Sequence, residues 1–156
     1  MNTNYNKPKA NIHQNLKLIT TLYPWQKDVE ELVTKPLNNT IYWVCDSVGL
    51  TGKTSLLNYM HCKYNIPILI NATKNKMQQT IKRYIKINDT SPEMMIIKEN
   101  SHKINTSLYE GLTQLHDGLI PNDNIIFNPF QIVVLSRTIP DFDKISKWKI
   151  KIIRIN

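Results

Sequence analysis

Residues Asp46-Ser47-Val48-Gly49-Leu50-Thr51-Gly52-Lys53-Thr54 bring two glycines, a lysine and a hydroxyl into one short stretch. A turn of this kind can hold phosphate. Its successive backbone N–H groups converge into an anion nest, and a helix starting at its end adds partial positive charge. Lys53 is placed to reach the β- and γ-phosphates of ATP, and the Thr54 hydroxyl to ligate Mg2+. Gly49 and Gly52 permit backbone conformations and close approaches that a side chain would block. The expected nucleotide contacts are Ser47, Val48, Gly49, Leu50, Thr51, Gly52, Lys53, Thr54 and Ser55. Ser47 stands where the common Gly-x-x-x-x-Gly-Lys-Thr pattern has its first glycine. The alternative is a chance Gly-Lys-Thr on an ordinary strand-to-helix turn.

The flanking elements suit the first reading. Ile41 to Cys45 is a run of β-formers with the length of a buried strand. A helix follows the turn, with Leu56, Leu57, Met60 and Tyr64 on its inner face. Upstream, Pro24 suits a helix start, Trp25, Val29, Leu32 and Val33 share one face, and Pro36 with Asn38-Asn39 ends that helix. Downstream, residues 67–70 read as a strand and 73–86 as a helix with Met77, Ile81, Tyr84 and Ile85 inward. Residues 94–97 read as a third strand. Asn105 caps a helix carrying Leu108, Tyr109, Leu112 and Leu115, which Gly118 closes. Gln131 to Leu135 is a fourth strand, and Trp148 to Ile155 a final alternating one. Strands alternating with helices predict an α/β fold with a parallel sheet covered on both faces.

The chain has 156 residues, the size of one compact domain, with 41% hydrophobic and 21% charged residues. Residues 1–22 lack periodicity and read as a flexible N-terminal tail, leaving 23–156 as the domain. The polar start does not fit a secretory signal peptide, and no apolar run approaches the ~20 residues of a membrane helix. Two cysteines, Cys45 and Cys62, fit a reducing, intracellular compartment. A net charge of +8 points to polyanionic partners.

Lys74, Lys76, Lys82, Arg83 and Lys86 supply the basic side of the 73–86 helix, a candidate track for single-stranded nucleic acid or simply a solvated face. His61-Cys62 lacks further ligands at metal spacing and reads as structural. Cys45, Trp25 and Trp43 read as core. Trp148 reads as core or as a stacking platform.

The stretch from Trp25 to Thr54, with Pro-Trp-Gln, a Tyr-Trp-Val strand and Asp-x-x-Gly-x-x-Gly-Lys-Thr, resembles the superfamily 3 helicase domain. The resemblance is above all to replication-initiator (Rep) proteins of small circular single-stranded DNA viruses, and extends to related helicases of RNA-virus type. That family writes its loop Asp-x-x-Gly-Asn-x-Gly-Lys-Ser/Thr, which accommodates Ser47. Val133-Val134-Leu135-Ser136-Arg137-Thr138-Ile139-Pro140-Asp141 is similar to its sensor strand, and 145–150 to its Leu-Ser-x-Asp-Arg-Trp-x-Ile ending. Tyr109-Glu110 and Asp117-Gly118 loosely match intervening segments.

The resemblance implies a P-loop NTPase of AAA-like type, a three-layer sandwich with a parallel sheet. It further implies an ATP-driven helicase forming a homo-oligomeric ring, commonly a hexamer, around nucleic acid. The paired histidines and tyrosine of the family's nicking domain have no room in residues 1–22, so a helicase-like module alone is expected.

The chain departs from the family at three positions. Lys98 stands where the Walker B aspartate holds Mg2+. Glu99 follows as the candidate base, reaching the metal only if a one-residue bulge turns it inward. Arg137 replaces the sensor asparagine, where it is the third candidate catalytic residue, and Lys147 alone remains of the Asp-Arg before Trp148. Two functions therefore stand side by side. One is an ATP-dependent helicase module of a viral-type replication protein. The other is a non-hydrolysing, nucleic-acid-binding relic of the same fold.

Overall fold

The run Ile41-Tyr42-Trp43-Val44-Cys45 is the strand that carries the Gly-Lys-Thr loop, and all five residues are buried. In the computed structural model, which describes residues 21–35 and 38–155, it is β1 (Ile41–Cys45). Helix α1 (Pro24–Glu31) precedes it. Then follow α2 (Lys53–Tyr64), β2 (Ile68–Ile70), α3 (Lys74–Asn88), β3 (Met94–Lys98) and α4 (Thr106–Asp117). Two short strands, β4 (Leu119–Ile120) and β5 (Ile125–Ile126), come next, then β6 (Gln131–Ser136) and β7 (Ile150–Arg154). Most of the expected tail, and the proposed helix stop at Pro36, lie outside the described residues.

The main sheet is parallel throughout, in the order β2-β3-β6-β1-β7. Its two faces follow from strand alternation. Ile41, Trp43, Cys45, Met95, Ile97, Ile132 and Val134 pack toward α3 and α4, against Met77, Ile81, Leu108, Tyr109 and Leu112. Tyr42, Val44, Met94, Ile96, Val133 and Leu135 pack toward α1 and α2, against Trp25, Val29, Leu56, Leu57 and Met60. The result is a three-layer α/β sandwich of P-loop type. Burying each large apolar side chain contributes roughly 1.5–3 kcal/mol, so the central strands β6 and β1 anchor whatever sits at their carboxyl ends.

Trp43 is fully buried and stacks on Tyr109, with ring centroids 6.1 Å apart. Its indole N–H donates to the Thr138 carbonyl at 2.8 Å, and the Tyr109 hydroxyl accepts the Asp141 N–H at 2.9 Å. These two bonds fasten the segment after β6. Asn105 caps α4 by accepting the Ser107 N–H, and Gly118 ends the helix at φ +69°.

Two expectations need correction. The last strand begins at Ile150, after a 3-10 turn at Lys147–Lys149, and Trp148 is 75% exposed rather than core. Tyr64 lies on the inner face of α2 as expected, partly buried against the core, with its hydroxyl on the Glu30 carboxylate at 2.7 Å. The antiparallel pair β4–β5 went unread, since two-residue strands carry no periodicity.

Candidate functional site

The loop after β1 is organised by Asp46, whose side chain has no exposed surface. Its Oδ1 accepts the Gly49 N–H at 2.9 Å and its Oδ2 accepts the Thr51 hydroxyl at 2.6 Å. Oδ2 also receives the Lys53 ammonium in a buried ion pair. Burial alone would raise the Asp46 carboxyl, but the bonds from Lys53, Thr51 and Gly49 outweigh it and hold it at about 2. The aspartate thus shapes the turn and positions Lys53.

Gly49 at φ +85° and Gly52 at φ +88° adopt the left-handed backbone the turn requires. At Gly52 there is also no room: a Cβ would lie 2.9 Å from Gln26 Nε2. That amide donates to the Gly52 carbonyl at 3.0 Å, while Gln26 Oε1 accepts the Tyr23 N–H at 2.8 Å. The Pro-Trp-Gln segment therefore clamps the loop to α1.

A cleft of about 340 Å³ opens over the start of α2. Leu50, Thr51, Gly52, Lys53, Thr54 and Ser55 line it from the loop, Lys98, Glu99 and Asn100 from the end of β3, and Arg137 from the end of β6. All three residues expected to be catalytic, Lys53, Glu99 and Arg137, thus border one cavity. It lies at the carboxyl ends of a parallel sheet, where strand order reverses and ligands commonly bind. Ser47 and Val48 are exposed and do not line it. Gly49 sits beside the Arg137 guanidinium, whose Nη2 would lie 3.8 Å from a Cβ there.

Strand β3 reaches Lys98 without a bulge. Lys98 pairs with Leu135 in register, and the Glu99 N–H then donates to the Leu135 carbonyl at 2.8 Å. Lys98 and Glu99 nevertheless both border the cleft, because Glu99 lies just past the strand. Glu99 is buried, and its Oε1 accepts the Ser101 N–H at 3.1 Å. Lys98 extends across the cleft and donates to the Thr54 hydroxyl at 2.9 Å.

That contact bears on the implied Mg2+. A Mg2+ ion demands near-octahedral oxygen ligands at about 2.0–2.1 Å. The Thr54 hydroxyl is engaged by an ammonium, and the position expected to supply a carboxylate supplies that ammonium instead. A dication at Thr54 would face it at ~4 Å, a repulsion of several kcal/mol even at a surface-like dielectric. The donors present do not fit a resident Mg2+.

On α3, Lys74 pairs with Glu110 at 3.2 Å and Lys82 with Asp123. Lys76, Arg83 and Lys86 are exposed and have no ion pair among the described residues. Elsewhere, His116 Nδ1 and Lys149 Nζ both meet Asp117 Oδ1, at 3.1 and 3.0 Å, and Trp148 packs edge-on over His116. His61 Nδ1 lies 3.0 Å from the Ile66 carbonyl. Among the described residues no cluster of His, Cys, Asp or Glu is arranged to hold a metal, and no helix is long and apolar enough to cross a membrane.

Two contributors to the site were missed from sequence. Asp46 was visible as a carboxylate closing a buried strand seven positions before the lysine. Gln26 was read only as part of the Pro-Trp-Gln motif, because its contact with Gly52 depends on α1 docking against the loop.

No protein-family model matches the chain. It is similar to Para-Rep C9 of the Faba bean necrotic yellows C9 alphasatellite, with 30% identity over 137 residues. The match takes in 85% of this chain and 48% of that protein, so the chain spans about half the length of the relative.

Proposed function

We propose that this chain is a nucleotide-binding, helicase-like module of a Rep-type viral replication protein, taking ATP in the cleft over α2. The similarity to Para-Rep C9 supports the replication context. The observation that carries nucleotide binding is the loop itself: a buried Lys53 held by Asp46 at the mouth of α2, directly after two glycines in left-handed conformation. Backbone N–H groups of the loop and the Lys53 ammonium would bind the phosphates. Arg137 would neutralise charge at the distal phosphate. Single-stranded nucleic acid would follow the unpaired cations Lys76, Arg83 and Lys86, and a homo-oligomeric ring would present several such faces to one strand.

A second reading is favoured by one contact. With Lys98 on Thr54, the same fold would serve as a non-hydrolysing, nucleic-acid-binding relic.

Thermal unfolding in the presence of ATP tests the proposal. A ligand that binds only the folded state stabilises it by about 2.7 kcal/mol at roughly a hundredfold excess over Kd. ATP is expected to raise the melting temperature of the wild type and not that of Lys53→Ala. Equal shifts in both proteins would place the nucleotide elsewhere.

A further inference from the structure

The cleft lining carries more cations than carboxylates. Lys53, Lys98 and Arg137 border it with Glu99, and Lys53 is already paired with the buried Asp46 carboxylate. Lys98 arrives from β3 and spends one of its three N–H donors on the Thr54 hydroxyl. That hydroxyl opens the first turn of α2, next to Lys53. The ammonium therefore stands where a divalent ion would bridge the threonine to the phosphate oxygens, with two donors left to make that bridge itself.

We propose that Lys98 is a built-in cation replacing the metal, so that the cleft takes nucleoside triphosphate in its metal-free form and discriminates against the magnesium complex. The inference rests on the reading of the loop as a nucleotide site. The charge balance explains the preference. Metal-free triphosphate is more anionic than its magnesium complex by the metal's double charge, and Lys98 and Arg137, beside a Lys53 already balanced by Asp46, complement the more anionic form. Bringing in Mg2+ as well would set a dication against Lys98 and take away its hydroxyl partner.

The ammonium is suited to this role because it is compact and its donors rotate. Its stem is fixed at the root by the regular pairing of Lys98 with Leu135 on the central strand β6. The Thr54 bond directs its tip into the cleft, where the phosphate would meet it.

Isothermal titration calorimetry of the full chain with ATP in excess EDTA, and with ATP in excess Mg2+, tests the proposal. The wild type is expected to bind metal-free ATP at least tenfold more tightly. Lys98→Asp is expected to invert the order. Lys98→Gln, which keeps the length without the charge, is expected to lose the preference without gaining affinity for the magnesium complex. It also provides a readout if the aspartate variant does not fold, as judged by circular dichroism. Tighter binding of Mg-ATP by the wild type, or an unchanged preference in Lys98→Gln, would overturn the assignment to Lys98 and leave the nucleotide site standing. No binding of either form by folded wild type would instead overturn the nucleotide reading on which it rests.

Discussion

Gln26 and Gly52 are joined across 26 residues of chain, the glutamine amide donating to the glycine carbonyl at 3.0 Å. Both ends of the amide are used, since its oxygen accepts the Tyr23 N–H. The first helix thereby sets the conformation of the loop that begins α2. A loop fixed before its ligand arrives loses little further entropy on binding.

Removing this clamp should cost stability as well as affinity. Gln26→Leu removes the bonds to the Tyr23 N–H and the Gly52 carbonyl, the latter keeping the Leu56 N–H, a loss of about 0.5–1.5 kcal/mol for each bond. Gly52→Ala adds a Cβ against Gln26 and strains a backbone at φ +88°, which should cost about 1 kcal/mol or more. Urea denaturation measures both. A Gly52→Ala protein as stable as the wild type would contradict the loop geometry.

Acid should loosen the contact between α1 and α2. Glu30 accepts hydrogen bonds from Tyr59, Lys63 and Tyr64 at 2.6, 2.8 and 2.7 Å. Burial alone would raise its carboxyl, but these donors lower it from 4.5 to about 2. Asp46 is lowered to about 2 in the same way, from 3.8. Because the folded values lie below the unfolded ones, the stabilisation is complete above the unfolded values and is lost as pH falls toward 2. Glu30→Gln should flatten part of that acid limb in denaturant midpoints measured against pH. An unchanged limb would show that Glu30 does not carry it.

Nucleic-acid binding, if it uses α3, should depend on the α3 cations that have no ion pair among the described residues. Replacing Lys76, Arg83 and Lys86 together by Glu should weaken single-strand binding and reduce the logarithmic salt slope by roughly 0.7 per lost phosphate contact. Lys82→Glu should also break the ion pair to Asp123, so its effect mixes binding with stability. Binding and slope unchanged in the triple variant would make α3 a solvated face only.

Phosphate release should be slow in the wild type, with or without single-stranded DNA. Lys98→Asp removes the cation from Thr54 and supplies an oxygen ligand, so turnover in Mg2+ should rise. Recovery is expected to be partial, because Arg137 and Lys147 also differ from the helicase pattern. Robust wild-type turnover that Lys98→Asp leaves unchanged would mean that another acid already serves the metal.

Much of this was legible in the sequence because the signals are local. Ile41–Cys45 and residues 94–97 are uninterrupted apolar runs, which is how strands covered on both faces read. Asn105 and Gly118 mark both ends of α4 through cap chemistry. Lys98 was seen as a misplaced cation, but its seat on Thr54 depends on two elements meeting across 44 residues. The Gln26 clamp and the Asp46–Lys53 pair are likewise products of packing. Trp148 shows the converse: an apolar residue beside a strand looks buried until the 3-10 turn that exposes it is known.

The central claim, that the loop after β1 binds nucleotide phosphates through Lys53, is tested most directly by calorimetric titration of ATP into folded wild type and Lys53→Ala. The account predicts saturable binding by the wild type, at least tenfold weaker in Lys53→Ala, a difference of about 1.4 kcal/mol or more. No heat with millimolar ATP in either the metal-free or the magnesium form, or equal affinity in the two proteins, would contradict it.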